Sequence, residues 1–161
     1  MVYLASPLGF SESGTDFYYN KLIPAIERIG FSCFDPWNTK LQNKINKTGS
    51  MNYGSRKRAE WQKLNHEIGK LNQQNIDLCD LMIAVLDGID VDSGTAAEIG
   101  YAAARNKRVI GYRGDFRLSS DNEGCLINLQ VEYFIKSSGG IITRNLRELI
   151  AYLKNFKNTL R

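Results

Sequence analysis

Apolar and polar positions along the chain fall into alternating blocks with two different periods. Near the start, "VYLAS" is a short apolar run closed by Pro7 and Gly9, the pattern of a strand entering a loop. From about Thr15 to Ile29, Phe17, Leu22, Ile26 and Ile29 recur at helical spacing, with Thr15 or Asp16 as the cap and Gly30 as the stop. "FSCF" predicts a second strand, ended at Asp35 because Pro36 restricts the residue before it. Residues 37–55 are polar, rich in Asn, Lys and Gly, and aperiodic, which predicts a long loop with a functional or mobile role. A helix resumes near Arg56 and runs to about Gln74. "DLMIAVLD" is continuously apolar and predicts a strand buried on both faces. A helix from about Thr95 to Arg105 follows. "RVIGYR" predicts the fourth strand, "VEYFI" the fifth, and residues 143–156 a closing helix.

Strands alternating with helices imply a parallel sheet covered on both faces. The expected fold is α/β: a flavodoxin-like three-layer sandwich with a five-stranded parallel sheet, in a single domain spanning residues 1–161. No repeat or linker divides the chain. Ligands in such sheets bind beyond the carboxyl ends of the strands, where the strand order reverses. The loops after strands one and three then share a crevice, which brings Tyr3, Gly9, Asp87, Asp92 and Glu98 towards one ligand.

Composition narrows the chemistry. With 43% hydrophobic and 24% charged residues, the chain has the make-up of a globular protein, and no apolar run approaches the roughly 20 residues of a membrane span. "MVYLASPLGF" lacks the basic start of a signal peptide. Cys33, Cys79 and Cys125 are odd in number and lack metal-ligand spacing, so reduced thiols, a cytoplasmic setting and no metal are expected. The net charge of +4 is mild, and the basic stretch "SRKRAEWQK" reads as a solvated helix face rather than a nucleic-acid surface. His66, the single histidine, lies in a polar helix, which argues against a histidine-based triad or a histidine-rich metal site. Carboxylates remain as the reactive groups. Of these, Glu98 has an alternative structural role: "TAAE" fits a capping box, with Thr95 as the N-cap and Glu98 reaching back to its amide. Asp92 fits a turn acid or an alternative cap.

The segment "CDLMIAVLDGIDVDSGTAAEIGYA", residues 79–102, resembles the signature of the nucleoside 2-deoxyribosyltransferases. The opening "VYLASPLGF" and "INLQ", residues 127–130, resemble two further segments of that family, in the same order. The resemblance implies a flavodoxin-like sheet and exchange of the base of a 2'-deoxynucleoside for a free purine or pyrimidine, without cofactor. It implies that Glu98 is the nucleophile, that Tyr3 holds its carboxylate, and that Asp92 and Asn128 bind the sugar hydroxyls. It further implies a homo-oligomer, dimer or higher, in which Asn128 comes from a neighbouring subunit. One departure stands out. Many members carry a base-contacting acid eight residues before the aspartate that opens strand three, and the same count back from Asp80 gives Asn72. An amide can hydrogen-bond a base but cannot protonate it. Asp77 lies nearby, but one and a half turns away on a helix, and is a poor stand-in.

The chemistry suits the residues. Cleaving an N-glycosidic bond builds positive charge at the anomeric carbon, which a carboxylate can stabilise and trap covalently. Glutamate, with a reference pKa of about 4.3, is ionised near neutrality, and a place in the first helical turn favours that form. Two displacements at one carbon restore its configuration. 2'-Deoxynucleosides are expected to react better than ribonucleosides, because a 2'-hydroxyl withdraws charge from the cationic transition state. Residues 37–55 are expected to form a lid, with Trp37 or Trp61 as its aromatic surface. Two other functions fit the same segment: a deoxynucleoside, nucleoside or nucleotide N-glycosidic hydrolase, and a non-catalytic nucleotide-sensing module. "SGTAAE" is similar to the "GGxGTxxE" loop of the cytokinin-activating phosphoribohydrolases, although Asp92 would repel a 5'-phosphate. A non-catalytic nucleotide sensor would need Glu98 only as a cap.

Overall fold

The computed structural model describes residues 1–159. Five parallel strands form one sheet in the order β2-β1-β3-β4-β5: β1 Val2–Ala5, β2 Cys33–Phe34, β3 Leu81–Val85, β4 Arg108–Tyr112 and β5 Ile142–Thr143. Both faces are covered, and the apolar runs of β1 and β3 divide residue by residue between them. Val2 and Leu4, with Leu81, Ile83 and Val85, join Tyr18, Leu22, Ile26, Leu149 and Leu153 in one core layer. Tyr3, Ala5, Met82 and Ala84 face the other layer, where Ile76, Ile99, Ala102, Val131 and Ile135 pack on them. The first layer is closed by helices α1 (Glu12–Phe17), α2 (Ile23–Arg28) and α7 (Leu146–Thr159). The second is closed by α4 (Ser55–Leu78), α5 (Ser93–Ala104) and α6 (Leu129–Ser137). This is the expected three-layer flavodoxin-like order, with its reversal between β1 and β3.

Several local expectations are corrected. "VEYFI" is not the fifth strand; it lies in α6, and β5 is the two-residue segment Ile142–Thr143. Val131 and Ile135 are buried one helical turn apart while Tyr133 between them is exposed, the reverse of what an alternating strand would give. Residues 37–55 are not one loop, because α3 (Gln42–Gly49) forms inside them. Leu41 and Thr48 are buried and Ile45 half-buried on one side of it, at spacings of four and three that sparse apolar content had hidden. The first predicted helix begins earlier, at Ser11, whose Oγ accepts from the Gly14 amide at 3.1 Å. It is interrupted by a π-type turn at Tyr18–Leu22 just before Pro24, which has no amide hydrogen to continue the ladder. Gly30, with φ of 85°, ends it as expected.

The cap of α5 is the correction with functional weight. Asp92, not Thr95, is the N-cap: its Oδ2 accepts from the Thr95 amide at 2.9 Å and from the Thr95 hydroxyl at 3.3 Å. Glu98 is therefore the sixth residue of the helix, beyond capping range and beyond the first turn.

Candidate active site

The crevice at the strand reversal is built from β1, the loops after β1 and β2, the middle of α4 and the start of α5. Tyr3 lies on β1, facing α5, with its ring stacked on Phe34 at 5.4 Å between centroids. Its hydroxyl donates to Oε1 of Glu98 at 2.6 Å, across 95 residues of sequence. Nδ2 of Asn72, from α4, donates to the same oxygen at 3.4 Å. Glu98 and Asn72 line a cavity of about 250 Å³, together with Asp92, Ser6, Phe10 and Trp37 among others. Such a volume is slightly below the roughly 300–1,000 Å³ of small-molecule sites.

Electrostatics follow from burial. Desolvation holds the Glu98 carboxyl above the ordinary carboxylate range, and the negative charge of Asp92 adds to that effect. The hydrogen bonds from Tyr3 and Asn72 oppose it. Ionisation of Glu98 is therefore harder than its place on a helix suggested. The Tyr3 phenol is raised by its own burial and then by Glu98, so it remains a hydrogen-bond donor.

An aromatic wall faces these groups. The Trp37 indole N–H donates to the Ser6 carbonyl at 3.0 Å. Phe10 meets Trp37 edge-on at 4.6 Å and is otherwise exposed. Gly9 lies directly under the indole, where a Cβ would fall 2.2 Å from the ring. Ser6, Phe10, Pro36 and Ile68 are wall residues that sequence reasoning did not single out. Phe10 could have been suspected from its place next to Gly9 in the loop after β1. Trp61 does not line the cavity.

Two expected site residues lie elsewhere. Asp87 accepts from the Asp115 amide at 2.8 Å and so ties the loop after β3 to the loop after β4. The buried Arg113 reinforces that tie, donating to the carbonyls of Leu86, Gly88 and Arg117. Asn128 caps α6, its Oδ1 accepting from the amides of Gln130 at 3.0 Å and Val131 at 3.3 Å. Neither residue lines the cavity of its own chain. Asp77 is bound to Arg105 and to the Tyr101 hydroxyl, and His66 is exposed.

The family model of nucleoside 2-deoxyribosyltransferase matches residues 2–130. The chain belongs to that family. Family members are enzymes of the deoxyribosyltransferase and N-glycosidase type. Among solved structures, a conserved protein from Enterococcus faecalis superposes with a TM-score of 0.68 at 23% identity, over 96% of both chains. A 2-deoxyribosyltransferase from the psychrotolerant Bacillus psychrosaccharolyticus gives 0.60 at 21%, over 92% of this chain and 89% of that one. A CMP N-glycosidase from Clostridium botulinum gives 0.53 at 21%, over 96% and 98%. At these identities the likenesses establish the fold. No curated protein sequence matches the chain. Among the described residues, no helix is long and apolar enough to cross a membrane, and no group of three or more His, Cys, Asp or Glu side chains could hold a metal.

Proposed function

We propose that the protein transfers the 2-deoxyribosyl group between nucleobases by a retaining double displacement through Glu98. The observation that carries this reading is the Tyr3–Glu98 hydrogen bond. It fixes one oxygen of a half-buried carboxylate on the wall of the cavity, while Oε2 accepts no hydrogen bond among the described residues. In the first step Oε2 attacks the anomeric carbon, and the C–N bond breaks with its electron pair passing to the base, which takes a proton from solvent. In the second step a nitrogen of the incoming base attacks the same carbon and expels Glu98, and the incoming base loses its proton. Asp92 uses Oδ2 for the cap, so Oδ1 remains to accept from a sugar hydroxyl. Its charge at the cavity favours a neutral nucleoside over a nucleotide. Trp37 and Phe10 offer a surface for the base. The single domain, a cytoplasmic setting and a place in deoxynucleoside salvage belong to the same proposal.

Hydrolysis is the competing outcome for the same intermediate. Glu98 also lines a shallow hollow between α4 and α5, beside Gly69, Gln73 and Ala97, from which water can approach. One incubation separates the two. With deoxyinosine and free adenine, deoxyadenosine is expected, and only when adenine is present. Free deoxyribose with and without adenine supports hydrolysis instead, and no change with any nucleoside refutes both.

The proposal includes a site completed by a second chain. Asn128 spends its Oδ1 on the α6 cap, which leaves its Nδ2 to donate to a sugar hydroxyl of a neighbouring subunit. Asn128→Asp retains the cap acceptor and removes the donor, so it tests the contact without the roughly 0.5–2 kcal/mol that losing a cap costs. Mixed after subunit exchange, inactive Asn128→Asp and Glu98→Ala chains are expected to recover activity, because a mixed dimer holds one intact site. Absence of recovery despite demonstrated exchange places both residues in one chain, and a fully active monomer rules out the shared site.

A further inference from the structure

The carboxylate of Glu98 has two chemically equivalent oxygens, and the chain treats them unequally. Tyr3 from β1 and Asn72 from α4 both donate to Oε1. We propose that Asn72 is a positioning residue that, with Tyr3, clamps Oε1 and leaves Oε2 as the single attacking oxygen; the inference rests on Glu98 being the nucleophile. Two donors on one oxygen restrict rotation of the carboxylate plane, which one hydrogen bond cannot do.

The identity of residue 72 fits this role. An acid at the same place would put a second carboxyl against Glu98, and the pair would share a proton. An amide donates without that penalty. Nδ2 must face Glu98, because turning the amide over would bring two acceptor oxygens together. Oδ1 is then directed away from Glu98, and it is a buried atom with no hydrogen-bond partner among the described residues. A buried acceptor without a partner is unfavourable. Asn72 lines the cavity, and the proposal assigns to Oδ1 an N–H or O–H of the bound nucleoside as its partner. Asn72 thus donates to the nucleophile and accepts from the substrate, and proton supply to the departing base does not come from position 72.

The groups that set the titration of Glu98 are Tyr3 from β1, Asn72 from α4 and Asp92 at the head of its own helix. Tyr101, one turn further along α5, is committed to Asp77 and Gln73. Carbon-13 NMR of the Glu98 carboxyl reports its pKa without any turnover. Asn72→Ala is expected to raise that pKa by about half a unit, through loss of a donor to the charged form. Asn72→Asp, which keeps the side-chain shape, is expected to raise it by more than about one unit, through like-charge repulsion. In both variants the acid limb of kcat/KM should follow the NMR value, and kcat should fall about tenfold in Asn72→Ala. An unchanged Glu98 titration in both variants overturns the clamp. Shifted titrations in a protein that neither exchanges nor releases bases uphold the clamp and remove the nucleophile reading instead.

Discussion

Glu98→Ala is expected to abolish base exchange, by at least about a thousandfold, in a protein that still folds. The fold should survive because Asp92 carries the cap of α5 and Glu98 contributes none of it. Glu98→Gln is the sharper variant: it retains the volume and an acceptor for the Tyr3 hydroxyl, and loses only the charge. It should be as inactive as the alanine variant. It should also melt at a higher temperature than the parent at neutral pH. Burial holds the folded-state pKa of Glu98 above its ordinary value, so this group stabilises the fold below that ordinary value, and the contribution is lost as pH rises through the raised one. Glutamine removes the charged form and with it the loss. At low pH, where Glu98 is protonated in both folded and unfolded chains, the two proteins should melt alike. For the same reason the parent's activity should decline with acidification at a pH above the usual carboxylate range, since the protonated group is no nucleophile. Normal turnover by a folded Glu98→Gln protein would falsify the mechanism.

"TAAE" satisfies the capping-box spacing, and only the position of the true cap decides against it. Asp92 lies three residues before Thr95, so the same stretch carries two overlapping N-terminal signals, and the Asp-led one forms. With Thr95 buried in the first turn, Glu98 is one turn further along, where the Tyr3 hydroxyl reaches it from β1.

The strands buried on both faces were legible because their apolar runs leave no alternative to a sheet interior: β1, β3 and β4 lie where the hydrophobic pattern puts them. The misreading of "VEYFI" came from weighting β-branched and aromatic propensity over capping. Asn128 is a favoured N-cap residue, and Ile127, Val131 and Ile135 repeat every four residues, which is a helical face. The true β5 is two residues long and follows a Gly-Gly pair, too short for periodicity to register. At the site, the sequence brought Tyr3, Gly9, Asp92 and Glu98 to one crevice through topology alone. It could not place Asp87, because a strand-end aspartate can turn towards either neighbouring loop. Here the amide of Asp115 and the bonds from Arg113 to the carbonyls of Leu86 and Gly88 draw that loop towards β4.

Gly9→Ala is expected to damage the site from the side opposite Glu98. Gly9 lies in the short turn Leu8–Phe10, and an added Cβ would lie 2.2–2.6 Å from three atoms of the Trp37 indole. The ring cannot slide away freely, because its N–H is bonded to the Ser6 carbonyl at 3.0 Å and it packs at a steep angle against Phe10. Either that bond breaks or the turn shifts, and overpacking of this kind costs about 1–3 kcal/mol. The displaced group is the aromatic wall of the cavity, so KM for the nucleoside should rise at least about tenfold, corresponding to roughly 1.4 kcal/mol of lost contact with the base. The Glu98 titration should stay put, since Tyr3 and Asn72 are untouched. A companion variant separates the clash from any direct need for glycine. Trp37→Leu in the Gly9→Ala background removes the ring that the methyl group strikes, so thermal stability should recover while the high KM persists, because the base has lost its aromatic surface. Recovery of both quantities in the double variant would mean that Trp37 only fills space. An unchanged KM in Gly9→Ala, with the indole shown by fluorescence to have moved, would mean that the base binds elsewhere.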